Sequence, residues 1–294
     1  MIRGFIVELR QPVTQLVATS VPLDPERSLM DPDEPLRHDA IVVVVDGREH
    51  EVKIEFRRGG ADTAETHALT PALAQALRPE TFEMVRRIEP SHYKTNRPGL
   101  FWFSSASHFV AHESRLEAMS LLTLDFEGQT CAVVAQPFRL HLTGAQSPRE
   151  HVPDYFARTR SGRGVVIDVK PKALLGHTKV AAQFAATRSL CEQAGWEYRI
   201  MSEPPDNVRM NMTLLSGYRA APVRADVVLP HALDMLGTGA QSWQDLLWHC
   251  ADRSDLHVAL VTPCLFHALW DRLLHADLGQ RLSAGTPIFA GGVA

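Results

Sequence analysis

The sequence lacks any uninterrupted apolar run near the about 18 residues that a membrane-spanning helix needs. Met1-Ile2-Arg3-Gly4-Phe5 leads into mixed polar sequence instead of a signal peptide. Both absences point to a cytoplasmic protein without a membrane partner. Cysteine is scarce: Cys131, Cys191, Cys250 and Cys264 are scattered with no CxxC pair, so neither a zinc ribbon nor a disulfide framework is implied. The chain has no GxxxxGK[ST] loop to cradle ATP phosphates and no GxSxG nucleophile elbow. His108 and His112 precede Glu113 in the wrong order for an HExxH zinc helix. A basic excess is missing too. The net charge of −4 argues against a protein that coats nucleic acid.

What is present is ordinary globular material, 45% hydrophobic and long enough for two or three small domains. Residues 1–97 read as an accessory β-rich module. A hairpin is expected from Ala40–Val45 and His50–Phe56 through the turn signal Asp46-Gly47, with a short helix from Pro71 to Leu77. Residues 98–203 give a strand from Pro98, a helix over Phe109–Leu122 and a strand over Val133–Leu142. A hairpin follows, then a helix from His177 to Ala194 closed by Gly195, and a strand over Trp196–Ile200. That order predicts an α/β fold, a mixed sheet flanked by helices. Pro204-Pro205-Asp206 reads as a linker into residues 204–294, with helices near Asn207–Tyr218, Ser242–Arg253 and Leu265–Leu274 and a closing strand Thr286–Phe289.

Chemistry concentrates in the hairpin His151–Phe156 and Val165–Lys170, joined by Arg160-Ser161-Gly162-Arg163-Gly164. Alternation along a strand puts Val166, Asp168 and Lys170 on one face and Val165, Ile167 and Val169 on the other, so one face reads as core and the other as chemistry. Asp154 on the partner strand adds a second carboxylate to Asp168 and Lys170. Two carboxylates and an ammonium on one surface suit a hard divalent cation and a phosphate, in the spacing of the PD-(D/E)xK nucleases. An exposed hairpin with charges on its wet face fits the same residues. Upstream, Glu113 and Glu117 lie one helical turn apart, where an inward glutamate adds a ligand and an outward pair is a solvated face. Arg158, Arg160, Arg163 and Lys172 are expected near the metal, either holding a DNA backbone without reading its sequence or forming only the usual basic face of a hairpin turn.

Beyond these spacings, Glu113-Ser114-Arg115-Leu116-Glu117, Leu124-Asp125-Phe126, Gln136-Pro137-Phe138, Val152-Pro153-Asp154-Tyr155-Phe156, Asp168-Val169-Lys170-Pro171 and Gly195-Trp196-Glu197-Tyr198 resemble the successive blocks of the TnsA family. These are endonuclease subunits of heteromeric transposases with a restriction-endonuclease-like fold. The resemblance runs from about Pro98 and weakens after Ile200. It implies Glu117, Asp154 and Asp168 as ligands of Mg2+, with Mn2+ as a substitute, and Lys170 as the catalytic lysine. Glu113 is left as a possible helper of Glu117. The implied substrate is double-stranded DNA at a transposon end, and the implied partners are an integrase-like transposase subunit and an AAA+-type ATPase regulator. The regulator would meet the C-terminal helical, winged-helix-like domain, whose excess of acid over base suits protein better than DNA. A free-standing defence nuclease and an inactive adaptor remain open beside this reading.

Overall fold

Strict alternation builds the first sheet. In Arg48–Arg58 the side chains of His50, Val52, Ile54 and Phe56 are buried, while every residue between them is exposed or half-exposed. The computed structural model describes residues 39–45, 47–86, 97–143 and 149–291, and those from Asp39 onward form one unit. Strand β1 (Val42–Val45) pairs antiparallel with β2 (Arg48–Arg58), with Gly47 at φ 74° in the turn. Asp46, the first residue of the expected turn, lies outside the described residues. Strand β3 (Glu65–Ala68), helix α1 (Pro71–Ala76, capped by Thr70) and strand β4 (Phe82–Glu83) complete this part, β3 and β4 both pairing with β2.

This part is not a separate module. β2 also pairs over six residues with β8 (Phe138–Thr143), and Phe56 shares one core with Phe138, Phe156, Val166 and Trp196. The boundary expected at residue 97 is crossed both by the β2–β8 ladder and by this core, which β2 itself helps to build.

Next come the two-stranded pair β5 (Gly99–Phe103) and β6 (His108–His112), then α2 (Arg115–Glu127). The expected helix over 109–122 starts late because residues 108–112 pair with β5 and Ser114 is the cap, its hydroxyl accepting the Glu117 N–H. Leu121 and Leu124 of α2 enter one core while Leu122, Met119 and Phe126 enter another. A helix apolar on two opposite sides is one buried between layers.

The stretch read as a single strand, Val133–Leu142, is two strands in two sheets. β7 (Thr130–Ala135) ends at Gln136, whose backbone has φ 46°, and Pro137 has no N–H to continue a ladder before β8 begins. The chain crosses back the same way: β9 (Arg149–His151) pairs with β8, and β10 (Tyr155–Thr159) starts in the second sheet. That sheet has the order β12-β11-β10-β7, with β11 (Gly164–Val169), α3 (Thr178–Ala194) and the parallel strand β12 (Glu197–Met201). Gly195 at φ 71° ends α3 as the sequence predicts.

The C-terminal elements are α4 (Asp206–Leu215), α5 (Ala225–Leu236), β13 (Gln241–Ser242), α6 (Trp243–Ser254), α7 (Val258–Trp270), β14 (Leu274–His275) and β15 (Pro287–Ala290). Helix α5 was not expected from the sequence; Pro230 inside it breaks the helical signal. β15 is the middle strand of three, between β13 and β14. These elements share their core with Leu122 of α2, and Arg272 donates to the Phe126 carbonyl. Among the described residues no helix is long and apolar enough to cross a membrane.

Candidate active site

The two crossovers between the sheets lie side by side: the Gln136 N–H donates to the Asp154 carbonyl at 3.0 Å. This tie holds Asp154 at the head of β10. Tyr155 stands opposite Ile167, so one step outward Asp154 meets Asp168 across the ladder, on the same face. The Asp154 carboxylate also accepts the Val169 N–H at 2.6 Å. Burial, together with the charges of Asp168 and Glu117, pushes the Asp154 carboxyl up to about 7 against the pull of that N–H.

Neither face of β11 is a free chemical surface, as the alternation had suggested. All six of its residues are buried: Val165, Ile167 and Val169 lie in the core that α2 covers, and Val166 in the core that α3 covers. Chemistry is confined to the strand's end. Asp168, 3% exposed, is satisfied there: its Oδ2 accepts the Tyr198 hydroxyl at 2.5 Å and lies 3.0 Å from His151 Nε2. Lys170 follows two residues on, half-buried, its backbone fixed by the Met201 carbonyl and by the Ser202 hydroxyl, which donates to its carbonyl. Among the described residues its ammonium has no ion-pair partner.

Glu117 stands close enough to bear electrostatically on both Asp154 and Tyr155. Its two carboxylate oxygens serve the start of α2, however: Oε2 accepts the Glu113 N–H at 2.7 Å and Oε1 the Ser114 hydroxyl at 2.9 Å. With the Ser114 cap this is a variant of the Ser-x-x-Glu capping box in which the glutamate accepts the N–H of the residue before the cap. Among the described residues, no three Asp, Glu, His or Cys side chains are placed to share one ion. Glu113 is bound to Arg86 at 2.6 Å and accepts the Gln136 amide N–H at 2.8 Å. Gln136 is buried and its Oε1 has no partner among the described residues.

The capping role has a measurable consequence. Glu117→Ala is expected to cost about 1 kcal/mol of stability, in the range of lost caps, whereas Glu117→Gln keeps an acceptor for the same N–H and should cost much less. Urea unfolding of the two variants separates them; equal losses would mean the box does not hold the helix.

Three of the four basic residues expected beside the metal are elsewhere. The hairpin turn and the hairpin's open end lie at opposite ends of the strands, and Arg158, Arg160 and Arg163 belong to the turn end. From Asp154 to Thr159 an extended chain runs about 17 Å. Arg158 is also consumed by Glu80, at 3.0 and 2.8 Å, and Arg160 donates to the Gly128 carbonyl. Arg163 pairs with Glu197 at 3.1 Å. Lys172 alone stays near the carboxylate end, exposed, its backbone N–H donating to Glu203.

His151, Tyr198, Gln183 and Gln136 are the neighbours of the carboxylates that the sequence did not single out for chemistry. Gln136 and Tyr198 did lie inside blocks of the family resemblance, without a role. Asp125, also in such a block, proves to be a structural tie: its carboxylate accepts the N–H and hydroxyl of both Ser104 and Ser105. The donor set at the strand heads suits Mg2+, which usually takes one or two carboxylates and keeps its waters, better than zinc, which prefers nitrogen and sulfur.

Residues 123–203 match the family model described as TnsA-like endonuclease N terminal. The match holds Asp154, Asp168 and Lys170 and begins after Glu117. No curated protein matches the chain.

Proposed function

From this TnsA-like endonuclease segment we propose that the protein is a metal-dependent DNA endonuclease that hydrolyses a phosphodiester at a transposon end. The observation that carries the reading is the cross-strand pair Asp154 and Asp168 at the end of a buried strand, where burial first, and the charge of Asp168 after it, raise the Asp154 carboxyl. Asp154 and Asp168 would hold Mg2+, or Mn2+ in its place, with Glu117 beside them as a third charge. The bound cation supplies Lewis-acid polarisation of the scissile phosphate. Asp154 and Asp168 would position the reacting phosphate by holding that cation, and Lys170, whose ammonium has no ion-pair partner among the described residues, would stabilise the charge that develops on the phosphate oxygens or orient the attacking water. Lys172, exposed at the same end, is available to the DNA backbone.

The partners in this reading are an integrase-like transposase subunit, which cuts the other strand, and an ATPase regulator met by the C-terminal elements. Helix α7 supports protein contact there over DNA contact: it carries no Lys or Arg, and seven of its residues are buried.

Calorimetric titration of Mn2+ into the wild type and Asp154→Ala tests the reading without partners. The wild type should bind and the variant should not. Uptake should weaken as the pH falls below about 7, because the proton held by Asp154 must leave before the carboxylate can bind. A wild type that takes up no Mn2+, or a variant that binds equally well, sinks the assignment and favours an adaptor.

A further inference from the structure

Asp168 is held by a set of side chains drawn from three separate elements. Its Oδ2 accepts the hydroxyl of Tyr198 from β12 at 2.5 Å and faces Nε2 of His151 from β9 at 3.0 Å. On its other side, His151 Nδ1 lies 2.5 Å from the amide nitrogen of Gln183 on α3. An amide nitrogen only donates, so Nδ1 accepts; the proton of a neutral imidazole is then on Nε2, where it points at Asp168. The chain of donors runs one way, from Gln183 through His151 to the carboxylate. Tyr198 adds a second donor to the same oxygen, while Oδ1 takes no hydrogen bond from the described residues.

Two donors on one oxygen, carried by strands of two different sheets, decide how the carboxylate is turned. Asp168 sits at the junction of the two sheets, and β9 belongs to the first while β12 belongs to the second. Both donors help to offset the burial of the carboxylate, but they converge on one of its two oxygens and leave the other without one among the described residues. Holding it from both sheets and from α3 fixes the carboxyl plane, which is what a group must have if its other oxygen is to meet a cation in one place.

We propose that His151 and Tyr198 are positioning residues for the cation: they clamp Oδ2 of Asp168 so that Oδ1 is presented to the ion, and Gln183 sets the histidine tautomer that makes the clamp possible. This rests on the reading of Asp154 and Asp168 as cation ligands. In this proposal neither His151 nor Tyr198 touches the ion or the DNA. Each acts through the carboxylate it turns.

The test is calorimetric binding of Mn2+ to the full chain, well below its unfolding temperature, in the wild type, Asp154→Ala, Tyr198→Phe, His151→Leu and His151→Gln. Tyr198→Phe removes one hydroxyl and His151→Leu one donor, and each should weaken Mn2+ binding about 10- to 100-fold, the range for partners of metal ligands. His151→Gln restores an N–H at similar reach and should recover most of the loss. In cleavage assays, Tyr198→Phe should raise the Mn2+ concentration needed for half-maximal rate and leave the KM for DNA unchanged. A purely structural bond would lower the unfolding temperature and leave Mn2+ affinity of the folded protein unmoved; that result overturns the clamp. If Asp154→Ala abolishes binding while Tyr198→Phe and His151→Leu bind as the wild type does, the cation reading stands and the clamp alone falls. If the wild type itself binds no Mn2+, the cation reading falls and takes the clamp with it.

Discussion

Lys170→Ala is expected to lower DNA cleavage by about 10²- to 10³-fold, the loss typical of removing one preorganised charge from a developing anion. Stability should hardly change. The backbone of Lys170 is fixed by Met201 and Ser202, which the substitution leaves in place, and no described ion pair is lost with the ammonium. Lys170→Arg should not restore the rate, because a planar guanidinium does not replace a compact ammonium at a fixed distance. Mn2+ uptake by Lys170→Ala should stay near the wild-type level, since two carboxylates hold the ion in this reading. The measurement is cleavage of transposon-end DNA in the presence of the transposase partner, beside a thermal unfolding curve. Cutting that survives Lys170→Ala within a few-fold would remove the lysine from the chemistry, and the nuclease site would have to be sought elsewhere.

The second large effect is on stability and falls far from the carboxylates. Phe56→Ala is expected to destabilise the protein by about 3–5 kcal/mol, the usual cost of emptying a buried phenylalanine site. Phe56 is 1% exposed, stacks on Phe82 with ring centroids 4.4 Å apart, and lies in the strand that pairs with β8. Were residues 39–97 an accessory module, this loss would unfold only that module and leave the nuclease sheet standing. The shared core predicts the reverse: one cooperative transition, moved to lower denaturant, with near-ultraviolet signals of Trp196 lost together with the rest. For the same reason a chain begun at Pro98 should fail to fold. A truncated chain that gave a cooperative transition and bound Mn2+ would show that β8 does not need β2.

The elements that announce themselves by short-range signals were legible in the sequence. The β1–β2 hairpin has its glycine turn, α3 has Gly195, and the Asp154 and Asp168–Lys170 spacing marks the strand heads. The missing information was of two physical kinds. A strand's period shows which residues alternate but not which sheet they join, so although Pro137 and Pro153 are readable breaks, the switch of sheet at each was not legible, and with it the pairing of β2 with β8. Nor does a carboxylate's identity say what its oxygens are doing. Glu117 reads as a ligand by resemblance, yet Ser114 three residues before it was a readable capping signal that would have moved the helix start to Arg115. The arginines of the turn were placed by proximity in sequence, and a hairpin's geometry carries proximity in sequence away from its open end. His151, Tyr198 and Gln183 carry no local motif at all; only the folded chain brings them to Asp168.

Helix α2 is gripped on both flanks, by Leu121 and Leu124 in the nuclease core and by Leu122, Met119 and Phe126 in the C-terminal one. A rod of this kind, about 20 Å long, transmits displacement better than it absorbs it. Its first turn carries Glu117, whose charge bears on Asp154, and its last turn is fastened by Arg272 at the Phe126 carbonyl. One helix is thus common to both cores, and the turn that faces Asp154 is built on the same rod that the C-terminal elements pack against.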